Sequence, residues 1–397
     1  MKSNYTEQQY ITEELLAIAA ANLELDETRK KQMISAYEAV NKVFDDNEEF
    51  FKNYTVNVYA QGSLILGTTI KPLPGKEFDL DIVLKVDDSY LNYTPKEIYD
   101  EVYRILSEHG TYSPILQKKN RCIRINYNSD FHMDILPSCK ITTDNSRVMI
   151  PKDKALDDWS RTDPKGYAEW FLNIAEKDQS QFMLTERYKM LVEAKVETED
   201  LPTDIYVKSP LQRTVQIVKR YRDLYYQNRD LAKTPAISSI VLTTILAQSY
   251  SEELSIQLAL KNALVKLKKL ADGYRYNRIK FPVYNPIDLY PARDKRENFT
   301  DSWTDEHYRS FIGFVEALEK NINAFLHNPK SEETYNNLFG NGYYKQSVQT
   351  LIKLEEALIG KQQLAAILGG VAVTNAFGVI NTDVGVKNGS HGFFAES

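Results

Sequence analysis

Met33, Tyr37, Val40 and Phe44 recur at spacings of 4, 3 and 4, drawing one apolar stripe along residues 26–44. That period predicts an amphipathic helix with Asp26 as its N-cap. Beyond it the period falls to two. Residues 54–59 (YTVNVY) alternate, and residues 78–86 (FDLDIVLKV) set β-branched and apolar side chains between carboxylates. Residues 121–127 (RCIRINY) and 131–136 (FHMDIL) read as two more strands, joined by the turn residues Asn128, Ser129 and Asp130. Residues 95–108, between the strands, have helical spacing, so this half predicts mixed α/β structure. From about residue 210 the pattern turns helical over 211–227, 238–250, 255–270, 305–326 and 347–358, with Pro329, Gly340 and Gly342 in the gaps. Residues 360–397 are rich in Gly, Ala and Asn with few large apolar anchors, which predicts a poorly packed tail.

Composition narrows the classes. At 397 residues the chain has length for two or three domains or one bilobal unit, at roughly 150 residues per domain. With 43% hydrophobic and 26% charged residues it can bury a full core, which excludes a disordered chain. A net charge of −6 speaks against a surface that coats nucleic acid. Two cysteines, Cys122 and Cys139, are too few for a disulfide framework or a four-ligand zinc site. The opening MKSNYTEQQYITEELL lacks the apolar core of a signal peptide, and no run of about 18 apolar residues marks a membrane span. A soluble protein of the reducing cytoplasm, with no membrane partner, is the expectation.

The chemistry is carried by Gln61-Gly62-Ser63, followed 16 residues after the serine by Asp79-Leu80-Asp81, with Asp134 further on. Alternation sends Asp79 and Asp81 to one side of a strand while Leu80 and Ile82 face the core. Joined by Asp134 from a neighbouring strand, they make an all-oxygen set suited to two Mg²⁺ ions, with Mn²⁺ able to substitute. Such ions activate an attacking hydroxyl and stabilise leaving pyrophosphate. A glycine lets backbone N–H groups approach phosphate oxygens, and the Ser63 hydroxyl adds a donor. A lone Asp-x-Asp is as well explained by a solvated strand; the ordered set is far more specific. No P-loop, HExxH or GxSxG occurs.

The segment QGSLILGTTIKPLPGKEFDLDIVL (61–84) resembles the active-site hairpin of the DNA polymerase β-like nucleotidyltransferase superfamily, and within it the bacterial cGAS/DncV-like nucleotidyltransferases of anti-phage defence (CBASS). FHMDILPS (131–138) is similar to the strand of the third carboxylate, and RTDPKGYAEWF (161–171) to a segment that follows it. LQRTVQIVKRYRDLYY (211–226) resembles the nucleotide-contacting helix, TPAISSIVLTTILA (234–247) the next one, and NPIDLYPARDKRENFTDSW (285–303) a late loop. The resemblance covers about residues 26–325. It implies a bilobal α+β fold: a sheet-containing catalytic lobe with a long N-terminal helix over 1–205, a helical lobe over 206–360, and a flexible tail over 361–397. It implies that Asp79 and Asp81 bind both metals, while Asp134 binds one and helps deprotonate the acceptor ribose. It further implies that Gln61, Gly62 and Ser63 hold the donor triphosphate, that Lys219 reaches the phosphates, and that Ser239 opens the next helix at the nucleotide.

The reaction so implied joins nucleoside triphosphates, ATP among them, into a cyclic di- or trinucleotide messenger read by a downstream effector. The alternatives are transfer to a macromolecule, as RNA tailing or protein AMPylation, and an inactive nucleotide-sensing scaffold. An RNA polymerase would favour a basic track, and an inactive relative would usually lack a metal carboxylate. Other features divide between two readings each. Seven basic residues against one acid between Lys261 and Lys280 make either a solvated helix face or a cleft rim. Arg121 and Arg124 suit a nucleotide or a strand edge, and His132, on the face of Asp134 by alternation, suits a hydrogen-bonded core site. Animal relatives carry a clustered His/Cys insertion for DNA; this acidic chain has none, which speaks against direct activation by double-stranded DNA. Phe393-Phe394 in the glycine-rich tail suit either a regulatory partner or a frayed end.

Overall fold

The computed structural model describes residues 6–45, 55–127, 131–141, 144–152, 155–176, 208–287 and 296–367, with three two-residue strand pieces beyond them. A sheet is built from β1 (Val56–Ala60), β2 (Phe78–Ser89), β3 (Leu116–Lys118), β4 (Ile123–Tyr127), β5 (Phe131–Ile141), β6 (Asp144–Pro151) and β7 (Trp159–Thr162). Its order is β1-β2-β5-β4-β3, and β6 pairs with the far end of β5 and with β7. Among the described strands only β2 and β5 run parallel, joined through α3 (Pro95–Glu108), whose Thr94 and Glu97 form a capping box. α2 (Glu27–Asp45) starts as expected, with the Arg29 N–H donating to Asp26 Oδ1 at 2.9 Å.

The twofold period decides what each face of the sheet does. Leu80, Ile82 and Leu84 of β2 and Met133 and Ile135 of β5 are buried with Met33 and Val40 of α2 and Ile98 and Val102 of α3. The residues between them point the other way. There Val83 and Leu136 pack with Val148 and Ile150 in a small second cluster, and the acids lie nearer the start of each strand.

The helical core comprises α1 (Glu7–Asn22), α4 (Pro164–Ala175), α5 (Pro210–Tyr226), α6 (Ser239–Ser249), α7 (Ile256–Asn277), α8 (Asp305–His327), α9 (Glu332–Phe339) and α10 (Tyr344–Ile367). Helix α1 leaves no visible stripe in the sequence because residues 15–20 are buried all round. The boundary expected at residue 205 falls outside the described residues. The two cores do not divide the chain by sequence order, since α1 and α4 precede that point yet join the helical core. Helix α10 runs on through residue 360. The 128–130 turn and Phe393-Phe394 lie outside the described residues, and no described helix is long and apolar enough to cross a membrane.

One buried carboxyl ties α1 to α7. Glu13 accepts from the backbone N–H groups of Ile256 and of Gln257, the latter at 3.0 Å, at the positive end of α7. Burial pushes Glu13 up to about 7, against the pull of those bonds. A raised carboxyl pKa contributes stability that is complete below about pH 4.5 and lost as pH rises through about 7. Glu13→Gln is expected to flatten that decline, about 3 kcal/mol, in thermal unfolding measured across the window.

Candidate active site

Register brings the acids together. Asp81 lies beside Asp134 and Asp79 beside His132 on the parallel pair β2·β5. On the other flank of β5, antiparallel β4 sets Arg124 opposite Asp134. Its Nε donates to Oδ1 and its Nη2 to Oδ2, each at 2.7 Å. His132 is buried, with Nδ1 3.0 Å from Glu77 Oε2 and Nε2 against Asp79 Oδ1.

The glycine–serine turn is stitched to the same strand. β1 ends with Ala60 opposite Ile82, and the Gln61 N–H continues the ladder to the Asp81 carbonyl at 2.9 Å. The chain then turns across the carboxylate. Gly62 has φ +64°, and a Cβ there would sit 2.9 Å from Asp81 Oδ2. Both facts demand glycine. The loop closes through Thr68 N–H to Ser63 O at 2.9 Å, and Thr69 Oγ1 donates to Ser63 Oγ at 3.3 Å.

Helix α5 holds this loop by its carbonyls. Gln212 Nε2 donates to Leu66 O at 3.0 Å, and Gln216 Nε2 to Thr69 O at 3.1 Å. Lys219 Nζ donates to Thr68 O at 2.9 Å, and Arg220 Nη2 to Lys71 O at 2.9 Å. Three- and four-residue spacing puts all four on one helix face.

Between the sheet and α5 with α6 lies a cleft of about 790 Å³. Gly62, Ser63, Asp79, Asp81, Lys219 and Ser239 line it, whereas Gln61 and Asp134 do not. Gln61 is engaged through its backbone, and Asp134 is turned to Arg124. Among the described residues no three carboxylate, imidazole or thiol groups converge as a ready ion cage. Lys219 is bonded to the Thr68 carbonyl, and Ser239 Oγ accepts from Arg222 Nη1.

The electrostatics follow from these partners. Burial, with Asp79 and Asp134 close by, pushes Asp81 up to about 6. Burial also raises Asp79, but the His132 bond and the nearby Arg124 and Arg222 outweigh it and hold the carboxyl low. Burial and the Arg222 charge bring Lys219 down to about 8.

One cleft group, Arg222, escaped the sequence reading. His132 is the hydrogen-bonded core residue that the alternation with Asp134 suggested: its Nδ1 bonds Glu77 Oε2, and its Nε2 lies against Asp79 Oδ1. Arg222 lines the cleft one turn beyond Lys219, where only helix geometry exposes it. The basic stretch over 261–280 is a solvated face: Lys268 pairs with Glu319 at 2.7 Å, Arg275 with Glu316 at 2.5 Å and Lys280 with Asp305 at 2.7 Å. None of these lines the cleft.

The Second Messenger Oligonucleotide or Dinucleotide Synthetase domain matches residues 12–174. A c-di-GMP synthase of Roseivirga ehrenbergii is 39% identical over 310 residues, 77% of this chain and 77% of that protein. The chain belongs to the bacterial cGAS/DncV-like nucleotidyltransferases. The cyclic dinucleotide synthase CdnG of Bradyrhizobium diazoefficiens is 25% identical over 308 residues, 73% of this chain and 70% of that protein. The solved structure of that CdnG with GTP superposes with a TM-score of 0.67 at 20% identity, covering 86% of this chain and 99% of that one. E. coli CdnC with ATP shares the fold at a TM-score of 0.54 and 14% identity, covering 83% and 97%. As a cGAS/DncV-like enzyme the chain is a bilobal α+β nucleotidyltransferase that makes a cyclic oligonucleotide.

Two substitutions test the loop. Gly62→Ala adds about 1 kcal/mol of backbone strain and presses on Asp81, so synthesis is expected to fall far more than the melting temperature. Lys219→Met strands the Thr68 carbonyl at about 1–3 kcal/mol, and steady-state kinetics should show a raised KM for nucleotide together with a lower kcat.

Proposed function

We propose that this enzyme condenses two molecules of GTP into cyclic di-GMP with release of two pyrophosphates, as a signal synthase of anti-phage defence working in the cytoplasm on a downstream effector. The observation that carries the reading is the Gly62-Ser63 turn laid directly across Asp81, opposite Lys219 and Ser239 on the helical side of one cleft. Guanine is favoured over the adenine expected from the resemblance because the relative at 39% identity is a c-di-GMP synthase.

In this reading the free N–H groups of the turn and the Ser63 hydroxyl receive the donor triphosphate, and Lys219 keeps the loop in place while its charge faces the phosphates. Asp79 and Asp81 fit a hard divalent cation: an all-oxygen donor set short of positive charge, with Asp81 pushed up to about 6 by burial and its two carboxylate neighbours. Mg²⁺ or Mn²⁺ there would supply Lewis-acid stabilisation of the transferring phosphoryl group. Asp134 completes the set and takes the proton of the attacking ribose hydroxyl. Gln61 contributes through its backbone by anchoring the turn. The sheet lobe thus brings the carboxylates, and the helical lobe brings Lys219 and Ser239.

Incubation with GTP, ATP or both, in the presence of Mg²⁺ or Mn²⁺, followed by phosphatase treatment and mass spectrometry, checks the proposal. A phosphatase-resistant product of the mass of cyclic di-GMP from GTP alone, lost in Asp79→Asn without loss of folding, is expected. A product that requires ATP overturns the guanine assignment, and retained synthesis in Asp79→Asn overturns the carboxylate assignment.

A further inference from the structure

Of the three acids on the shared face, Asp79 and Asp81 line the cleft, and Asp134, in direct register with Asp81, does not. Its two oxygens are both taken by the fork of Arg124, at 2.7 Å each, from the strand on its other side. The pair is three-quarters or more buried, with side-chain exposures of 23% for Arg124 and 17% for Asp134. A two-pronged, charge-assisted pair of this kind is both directional and strong, because the planar guanidinium matches the carboxylate plane and is held by packing. Its site within the sheet restricts it further, since Arg124 and Asp134 are cross-strand neighbours whose Cβ atoms leave the backbone on the same side.

We propose that Arg124 is a positioning residue that holds Asp134 back from the cation site, and yields it only when cation and nucleotide compete for the carboxylate. The inference rests on the metal-dependent reading above. Its consequence is an order of assembly. With Arg124 engaged the site presents two carboxylates, and the acid that would take the ribose proton is withheld until there is a ribose to act on. Coulomb attraction favours the exchange once the cation is in place, because a divalent ion attracts Asp134 more strongly than one guanidinium does at similar distance.

Mn²⁺ binding to the whole, nucleotide-free chain tests this by calorimetry and by electron paramagnetic resonance in ¹⁷O-enriched water, which counts the waters on the ion. Arg124→Gln is expected to tighten Mn²⁺ by about fivefold or more and to remove one bound water, as Asp134 enters the shell. Arg124→Lys, which keeps the charge and loses the fork, should fall between. Arg124→Gln combined with Asp134→Asn replaces one neutral pair by another and should bind Mn²⁺ like the wild type, with the wild-type water count. The wild-type affinity and water count in Arg124→Gln would overturn the proposal. So would a tightening that survives in the double variant, since the gain would then not need the Asp134 carboxylate. Mn²⁺ binding that Asp79→Asn leaves unchanged would instead overturn the metal reading on which the proposal stands.

Discussion

A loop that must lie against a carboxylate cannot also sit in a sheet, and this site depends on how the loop's carbonyls are satisfied. Residues 62–71 leave the ladder immediately after Gln61, with positive φ at Gly62 and Gly67, so their backbone groups need other partners. Helix α5 supplies them through Gln212, Gln216, Lys219 and Arg220, which reach the carbonyls of Leu66, Thr69, Thr68 and Lys71. All four donors are buried. The loop's shape is therefore set by a helix from the other lobe, and any motion of α5 is transmitted to the turn beside Asp81. The same helix is anchored behind by Arg213, which donates to Glu24 Oε1 at 2.6 Å just beyond α1. This explains why the first helix of the chain belongs to the helical core and not to the sheet it precedes.

Charge is the second constraint. Three carboxylates on one face repel one another, and burial makes each anion more costly. The chain answers with a partner for each flank: His132 against Asp79 and Arg124 on Asp134. Asp81, in the middle, has no such partner and is the group pushed up to about 6. The centre of the site is thus the place most in need of positive charge, and it is also the place where the turn's glycine lets the backbone lie against the carboxylate.

Much of this was legible in the chain. The alternation in FDLDIVL and FHMDIL is enough to put Asp79, Asp81 and Asp134 on one face, because a strand has no other way to bury Leu80, Ile82, Met133 and Ile135. The helices over 211–227 and 305–326 were drawn by their 3.6-residue stripes and ended within a residue or two of the observed bounds. Helix α1 and the helix α9 were not, since a segment buried on all sides shows no stripe and an eight-residue helix shows too little of one.

What local pattern determines, then, is the secondary structure, the face on which each acid stands and the need for glycine in the turn, because these follow from the geometry of a strand and its next few residues. Which partner each charged group takes was decided only by tertiary structure. Lys219 meets a carbonyl 151 residues away, Gln212 one 146 residues away, and Glu13 caps a helix 243 residues on. Even Arg124 and Asp134, ten residues apart, meet only because β4 and β5 pair in one register. Long side chains carry no periodic signal of where their ends go; packing of the two cores against each other settles it.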